Sequence, residues 1–164
     1  MKKVFAIIAA ILFCGATMVS CNKENNTENN DSNSPTKTDM VGTWEGSFAG
    51  STTIDNANEN YTLNWTLILN PEGSATIGSL KYTATFDTYR DLNGEVPVTD
   101  YYVRQNTSTG RIVIVGGHNF GLIDEMIDFD IDLNAKTMKG TLEVNTSLDQ
   151  DVITLGGATT LHKK

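Results

Sequence analysis

From Met40 onward, apolar and polar residues alternate with a period of two. Tyr61, Leu63, Trp65, Leu67 and Leu69 share one face, with Thr62, Asn64 and Thr66 on the other. Leu80, Tyr82, Ala84 and Phe86 alternate with Lys81, Thr83, Thr85 and Asp87, and Ile127, Phe129, Ile131 and Leu133 with Asp128, Asp130 and Asp132. Successive side chains of a strand point to opposite faces, so this spacing predicts half-buried strands. No apolar stripe at 3.6-residue spacing runs to helical length. The pattern therefore predicts an all-β domain with about eight strands, at 40–48, 60–69, 74–89, 98–106, 111–116, 122–133, 138–145 and 152–162.

Turn chemistry separates these runs. Asn70-Pro71-Glu72-Gly73 places proline and glycine where a chain reversal uses them, and Ser108-Thr109-Gly110 precedes the fifth run. Asn134-Ala135-Lys136-Thr137 predicts a hairpin with Leu133 opposite Met138, Ile131 opposite Gly140, Phe129 opposite Leu142 and Ile127 opposite Val144. That register also sets Asp132 against Lys139. Ala75 and Ile77 are odd, whereas Leu80 and Tyr82 are even, so a bulge or glycine kink is expected at Gly78-Ser79 within one bent strand. Short connections throughout predict a meander closing on itself, an antiparallel up-and-down β-barrel, with a β-sandwich as the alternative architecture. A membrane barrel would turn the apolar face to lipid; bulky aromatics opposite a charged face fit a water-soluble barrel better.

The N-terminus changes the picture. Lys2 and Lys3 precede the uncharged apolar run Val4 to Phe13, which is too short for a stable membrane span and reads as a secretory signal. Met18-Val19-Ser20-Cys21 resembles the lipobox of bacterial lipoproteins. The resemblance implies cleavage before Cys21, a diacylglycerol on its thiol and a further acyl group such as palmitate on its new amine. The alternative is an ordinary secreted chain cut near Ala16 or Ser20. Cys14 would leave with the signal, so an acylated Cys21 leaves the mature chain without a thiol and excludes disulfides, thiolate metal sites and cysteine nucleophiles. Asn22 to Thr38 is polar, with one proline and no large apolar side chain. It is expected to be a flexible tether holding the domain about 20–25 Å from the membrane. The expected division is signal peptide 1–20, lipidated cysteine and tether 21–38, and domain 39–164. The asparagine-rich tether is similar to those of Bacteroidetes-like lipoproteins. It implies a lipid anchor in the bacterial cell envelope, at the outer membrane, with Lys23-Glu24 leaving periplasmic or surface orientation open.

The first strand reads Met40-Val41-Gly42-Thr43-Trp44-Glu45-Gly46. Gly42-x-Trp44 resembles the start of strand one in lipocalin-like and wider calycin barrels, where the tryptophan plugs one barrel end. Thr99-Asp100-Tyr101 looks like the second motif of that family. His162, Lys163 and Lys164 are the residues offered for the third, a late basic residue packing over the tryptophan. The resemblance implies a small apolar or lipid ligand inside the barrel. Trp44, Phe48 and Tyr61 join the heavy inward set, and Trp65, Tyr82, Phe86 and Phe129 are the expected ligand-binding residues, since buried aromatics dominate such pockets.

Charge and motif content narrow the chemistry. The net charge is −8, which becomes −10 when Lys2 and Lys3 are removed, and no Lys/Arg cluster lies outside the signal. Nucleic-acid binding by phosphate neutralisation is not expected. Asp128-x-Asp130-x-Asp132-x-Asn134 has Leu133 and Lys139 where a calcium loop needs glycine and glutamate, and reads as a solvated strand face; Asp124 and Glu125 offer at most a weak ion site. His118, in Gly116-Gly117-His118-Asn119-Phe120-Gly121, reads as part of a glycine turn, and with His162 cannot make a histidine metal cluster. No nucleophile elbow or phosphate loop occurs. The chain is expected to be a monomeric non-enzyme without metal or cofactor. The alternative function is an interaction module presenting loops 49–59 and 90–97 to a protein or glycan.

Overall fold

A computed structural model describes residues 34–115, 124–148 and 151–164. A short helix, α1 (Lys37–Met40), leads into eight strands: β1 (Gly42–Ile54), β2 (Ala57–Leu69), β3 (Gly78–Phe86), β4 (Leu92–Val103), β5 (Thr109–Val115), β6 (Asp124–Asp132), β7 (Thr137–Leu148) and β8 (Asp151–Lys163). Each pairs antiparallel with the next, and β8 returns to β1, so the sheet is a closed up-and-down barrel of lipocalin-like form. The sandwich alternative falls away. Among the described residues no helix is long and apolar enough to cross a membrane. The signal, Cys14, Cys21, most of the expected tether and His118 lie outside the described residues. The last residues of that tether are built onto the barrel: Pro35 is buried and Lys37 and Thr38 open α1.

The period-two faces became the wall. Leu63, Trp65, Leu67, Leu80, Tyr82, Phe129, Leu142 and Val144 point inward and are buried, their neighbours outward. Several boundaries differ from expectation. β1 and β2 run on to a two-residue turn at Asp55 (φ 50°) and Asn56 (φ 63°), the double left-handed geometry of a tight hairpin. Most of the expected loop 49–59 is therefore strand; its inward positions include Gly50, Thr52 and Glu59, with Ile54 the one large apolar side chain among them, so apolar alternation did not mark it. Residues 92–97 of the other expected loop likewise belong to β4. Conversely, Ala75 and Ile77 lie in the β2–β3 loop, where Asn70 N–H donates to Ile77 O at 2.8 Å. Gly78-Ser79 opens β3 without a bulge. The phase change sits in β4, between Val98 and Asp100, turning the inward face from Val96 and Val98 to Tyr101. The β6–β7 hairpin pairs Phe129 with Gly140, Ile131 with Met138 and Asp132 with Thr137, two steps from the expected register. The turn starts one residue earlier because Asp132 Oδ1 accepts from Ala135 N–H at 2.9 Å and Lys136 takes φ 52°. A slip of two keeps every side chain on its expected face.

The barrel has two unlike ends. At the near end, α1 and loops 70–77, 104–108 and 133–136 gather around Trp44. At the far end are the Asp55-Asn56 turn and the 87–91 connection. Between them, large inward aromatics stand directly opposite inward glycines on the next strand: Trp65 by Gly46, Tyr61 by Gly50, Tyr82 by Gly94 and Phe129 by Gly140. A Cβ at Gly50 would lie 2.8 Å from the Tyr61 hydroxyl, and one at Gly94 only 2.4 Å from the Tyr82 ring. At Gly50, Gly94 and Gly140 the missing side chains leave the space the rings occupy, whereas at Gly46 that space is taken by the Thr160 carbonyl and the Leu161 side chain of β8. Packing at this density is how a small barrel fills its own interior.

The ladders are uneven. β1–β2 pairs over its whole length, and β7–β8 pairs without interruption from Thr137↔His162 to Leu148↔Asp151. Among the described residues, β6–β7 registers from Phe129 to Asp132 and the closing β8–β1 ladder at Trp44↔Lys163 and Glu45↔His162. Both short ladders are at the near end.

Candidate functional site

The four expected ligand residues do not form one group. Trp65 and Tyr82 are paired across β2 and β3, their ring centroids 5.9 Å apart, and both are buried. Burial raises the Tyr82 phenol above its usual value of 10.0, as loss of water disfavours phenolate. Phe129 is fully buried against Gly140. These three are core. Phe86 is different: it lies at the far end, opposite Tyr61.

There a row of rings crosses the barrel mouth. Phe48 stands 6.2 Å from Tyr61, Tyr61 is 5.8 Å from Phe86, and Phe86 meets Tyr89 edge-on at 6.1 Å. Phe48, Tyr89, Leu92 and Ile127 pack on the core yet remain partly exposed, while Ile54, Leu148 and Ile153 beside them are buried. Separations of 4.5–7 Å are those of favourable aromatic pairs, about 0.5–1.5 kcal/mol each beyond area burial. One buried charge borders the row: Glu59 accepts from the amide and hydroxyl of Thr88. Tyr61 also reaches β8, its hydroxyl oxygen accepting from Gly156 N–H at 3.0 Å. Such a surface can hold an apolar molecule. Phe48, Tyr61 and Tyr89 were not singled out as ligand residues from the sequence. The available signal was Gly50, whose place opposite Tyr61 follows once the tight turn at Asp55-Asn56 is recognised.

The near end is a plug. Thr36 N–H and hydroxyl both donate to Asp39 Oδ2, at 2.8 and 2.6 Å, which fixes α1 and holds the Asp39 carboxyl below its usual range. Trp44 Nε1 donates to Met40 O at 2.8 Å. Lys163 supplies the late basic residue: its ammonium donates to Asp39 O at 2.8 Å and stands 5.2 Å from the centre of the Trp44 ring. Thr99, Asp100 and Tyr101 lie at the β4 bulge. The Tyr101 hydroxyl donates to Asn70 O, and Lys37 stands over the Tyr101 ring, 3.9 Å from Asp100 Oδ1. Gly42 takes φ 133°, and a Cβ there would press on the Lys163 stem at 3.1 Å. This end is sealed.

The outer wall accounts for the acidic row. Asp128 holds Arg111 through two bonds of 2.6 and 2.8 Å and Arg104 through one of 2.8 Å, Asp130 is opposite Lys139, and Asp132 serves its turn. Among the described residues no group of three or more His, Cys, Asp or Glu is placed to hold a metal ion. A concavity of about 830 Å³ runs across β2, β1 and β8, lined by Glu45, Ser47, Asn64, Thr66, Thr160 and His162. The protein thus belongs by architecture with the eight-stranded up-and-down barrels. No family model, curated protein or solved structure matches the chain.

Proposed function

We propose that the protein is a lipid-anchored lipoprotein of the bacterial cell envelope whose barrel binds a small apolar or lipid ligand at its far end. The observation that carries this reading is the row Phe48–Tyr61–Phe86–Tyr89, whose outer members are half-buried at the mouth and backed by aliphatic side chains. Desolvation of apolar surface supplies the affinity, with no covalent step. The basic, apolar start and Met18-Val19-Ser20-Cys21 support the anchor. Native mass spectrometry of the gently purified protein should find a co-purifying lipid, lost on Phe86→Ala; a ligand-free spectrum for the native protein would overturn the reading. Labelling cells with a fatty acid should mark wild type and spare Cys21→Ser. Unlabelled wild type would remove the anchor.

The concavity on β2, β1 and β8 favours a second reading. Its lining of hydroxyls, an amide and an imidazole, with Glu45 and Lys164 paired to each other at 2.7 Å, suits a neutral polar partner such as a glycan. Glycan binding abolished by Asn64→Ala together with His162→Ala, with no lipid bound, would establish that function instead.

A further inference from the structure

A cation on the outer wall is matched to a partner that makes little use of it. Arg111 in β5 is paired across the ladder with Asp128 in β6, and Met126 lies two residues before Asp128 on the same outward face. Arg111 Nε and Nη2 donate to the two Asp128 oxygens at 2.6 and 2.8 Å. Arg104 Nη2 reaches the same carboxylate from the β4–β5 loop at 2.8 Å. The paired bonds to Asp128 fix the plane of the Arg111 guanidinium and leave Nη1 facing Met126 Sδ at 3.3 Å. A thioether is a weak acceptor, whereas a guanidinium N–H is a strong donor.

The three methionines among the described residues are not equivalent. Met126 is 61% exposed, while Met40 and Met138 are fully buried. The Met40 carbonyl receives Trp44 Nε1, and its sulfur would lie 3.1 Å from a Cβ at Gly110. Met138 stands opposite Ile131 and Leu161. An oxygen on either buried sulfur would force a polar group into close packing. An oxygen on Met126 would stand in water with a fixed N–H beside it. A sulfoxide oxygen is a stronger acceptor than a thioether sulfur. The unbranched Met126 side chain can turn to place that oxygen about 2.9 Å from Nη1 while both bonds to Asp128 persist. Oxidation there tightens the β5–β6 contact instead of loosening it.

We infer that Met126 is a methionine oxidation site on the outer wall, whose sulfoxide is received by the Arg111 guanidinium already anchored on Asp128. The oxidant is hydrogen peroxide. A sulfur lone pair attacks one peroxide oxygen, and the S–O bond forms as the O–O bond breaks. The proton of the attacked oxygen passes to the departing one, which leaves as water. Sulfur gives up two electrons and the peroxide accepts them. The oxidant is thus consumed where its product is accommodated, and a methionine sulfoxide reductase can restore the thioether.

The test treats the full chain with hydrogen peroxide and follows each methionine by peptide mass spectrometry. Met126 should be oxidised at least tenfold faster than Met40 and Met138. The singly oxidised protein should unfold at a urea midpoint roughly 0.5 M above the reduced one, as one new charge-assisted hydrogen bond would give. That rise should vanish in Arg111→Lys, whose single ammonium is taken by Asp128. Met126→Gln offers an amide oxygen without oxidation and should unfold at a higher midpoint than Met126→Leu. Equal oxidation rates at the three methionines would overturn the site. A midpoint unchanged or lowered by oxidation, a rise as large in Arg111→Lys as in wild type, or equal midpoints for Met126→Gln and Met126→Leu would overturn the role of Arg111.

Discussion

Replacing Gly94 by alanine tests whether the inward glycines exist to make room for rings. A Cβ at position 94 would lie 2.4 Å from Tyr82 Cε1, 2.9 Å from Cζ and 3.0 Å from the hydroxyl oxygen, with no backbone atom nearer than these. Carbon atoms rest about 3.5–4.0 Å apart, so the ring must retreat by about 1 Å. It is 4% exposed and has the Trp65 ring 5.9 Å behind it, which leaves little path for retreat. Overpacking of this kind costs about 1–3 kcal/mol, against a gain of roughly 0.5–1 kcal/mol from restricting the unfolded chain. Gly94→Ala should therefore destabilise the barrel by about 1–2 kcal/mol. In a Tyr82→Leu background the same change should be neutral or stabilising, a coupling of about 1–2 kcal/mol for directly opposed residues. Equilibrium urea unfolding followed by tryptophan fluorescence measures all four corners of the cycle. Additivity within about 0.5 kcal/mol would refute the reasoning, because Gly94 would then be needed for something other than the ring.

Three further outcomes follow from the plug and the core. Lys163→Met should cost about 2 kcal/mol through loss of a charge-assisted hydrogen bond and the stacking on Trp44, and Lys163→Arg should recover part of it; equal urea midpoints for wild type and Lys163→Met would exclude this role. The Asp39 carboxyl is depressed by donation from Thr36, so its stabilisation is present above the unfolded value of about 4 and is lost as pH falls through the folded value. Asp39→Asn should flatten that acid limb in pH-dependent unfolding, and an unchanged limb would count against the Thr36 contacts. Burial raises the Tyr82 phenol, so stability should be complete below the unfolded value near 10 and decline as pH rises beyond it. Phenolate absorbance should lag in the native protein and Tyr82→Phe should shrink the lag; a normal titration curve would contradict the burial.

What the sequence disclosed followed from whether a face was apolar. β2, β3 and β6 announce themselves because Leu63, Leu80, Phe129 and their alternates must leave water. The tips of β1 and β2 were hidden because Gly50 and Thr52 sit inward there, and an inward glycine carries no hydrophobic signal even when an aromatic ring fills its place. The β6–β7 register was wrong by two for a related reason: alternation fixes which face a residue takes but not which partner it meets. That choice fell to the Asp132–Ala135 bond and Lys136 in the turn. Trp44 and Gly42 were legible as a plug, and of the three late residues offered to pack over the tryptophan it is Lys163, 119 positions away in sequence, that does so. The proposed ligand face was the least legible part. Aromatic residues mark core and pocket alike, and only the partial exposure of Phe48 and Tyr89 separates one from the other.

Closure of the ring by β1 and β8 bears on how the chain reaches this state. Seven of the eight strand junctions join sequence neighbours, so each can zip locally at small entropic cost. The last must bring Trp44 to Lys163, and it registers at two positions among the described residues. The slow event in assembly should therefore be closure of β8 onto β1 once the seven local junctions of the meander have formed. Until then the exposed margin of β1 is a template for pairing with another molecule. The cation settling over the indole is what ends that vulnerability.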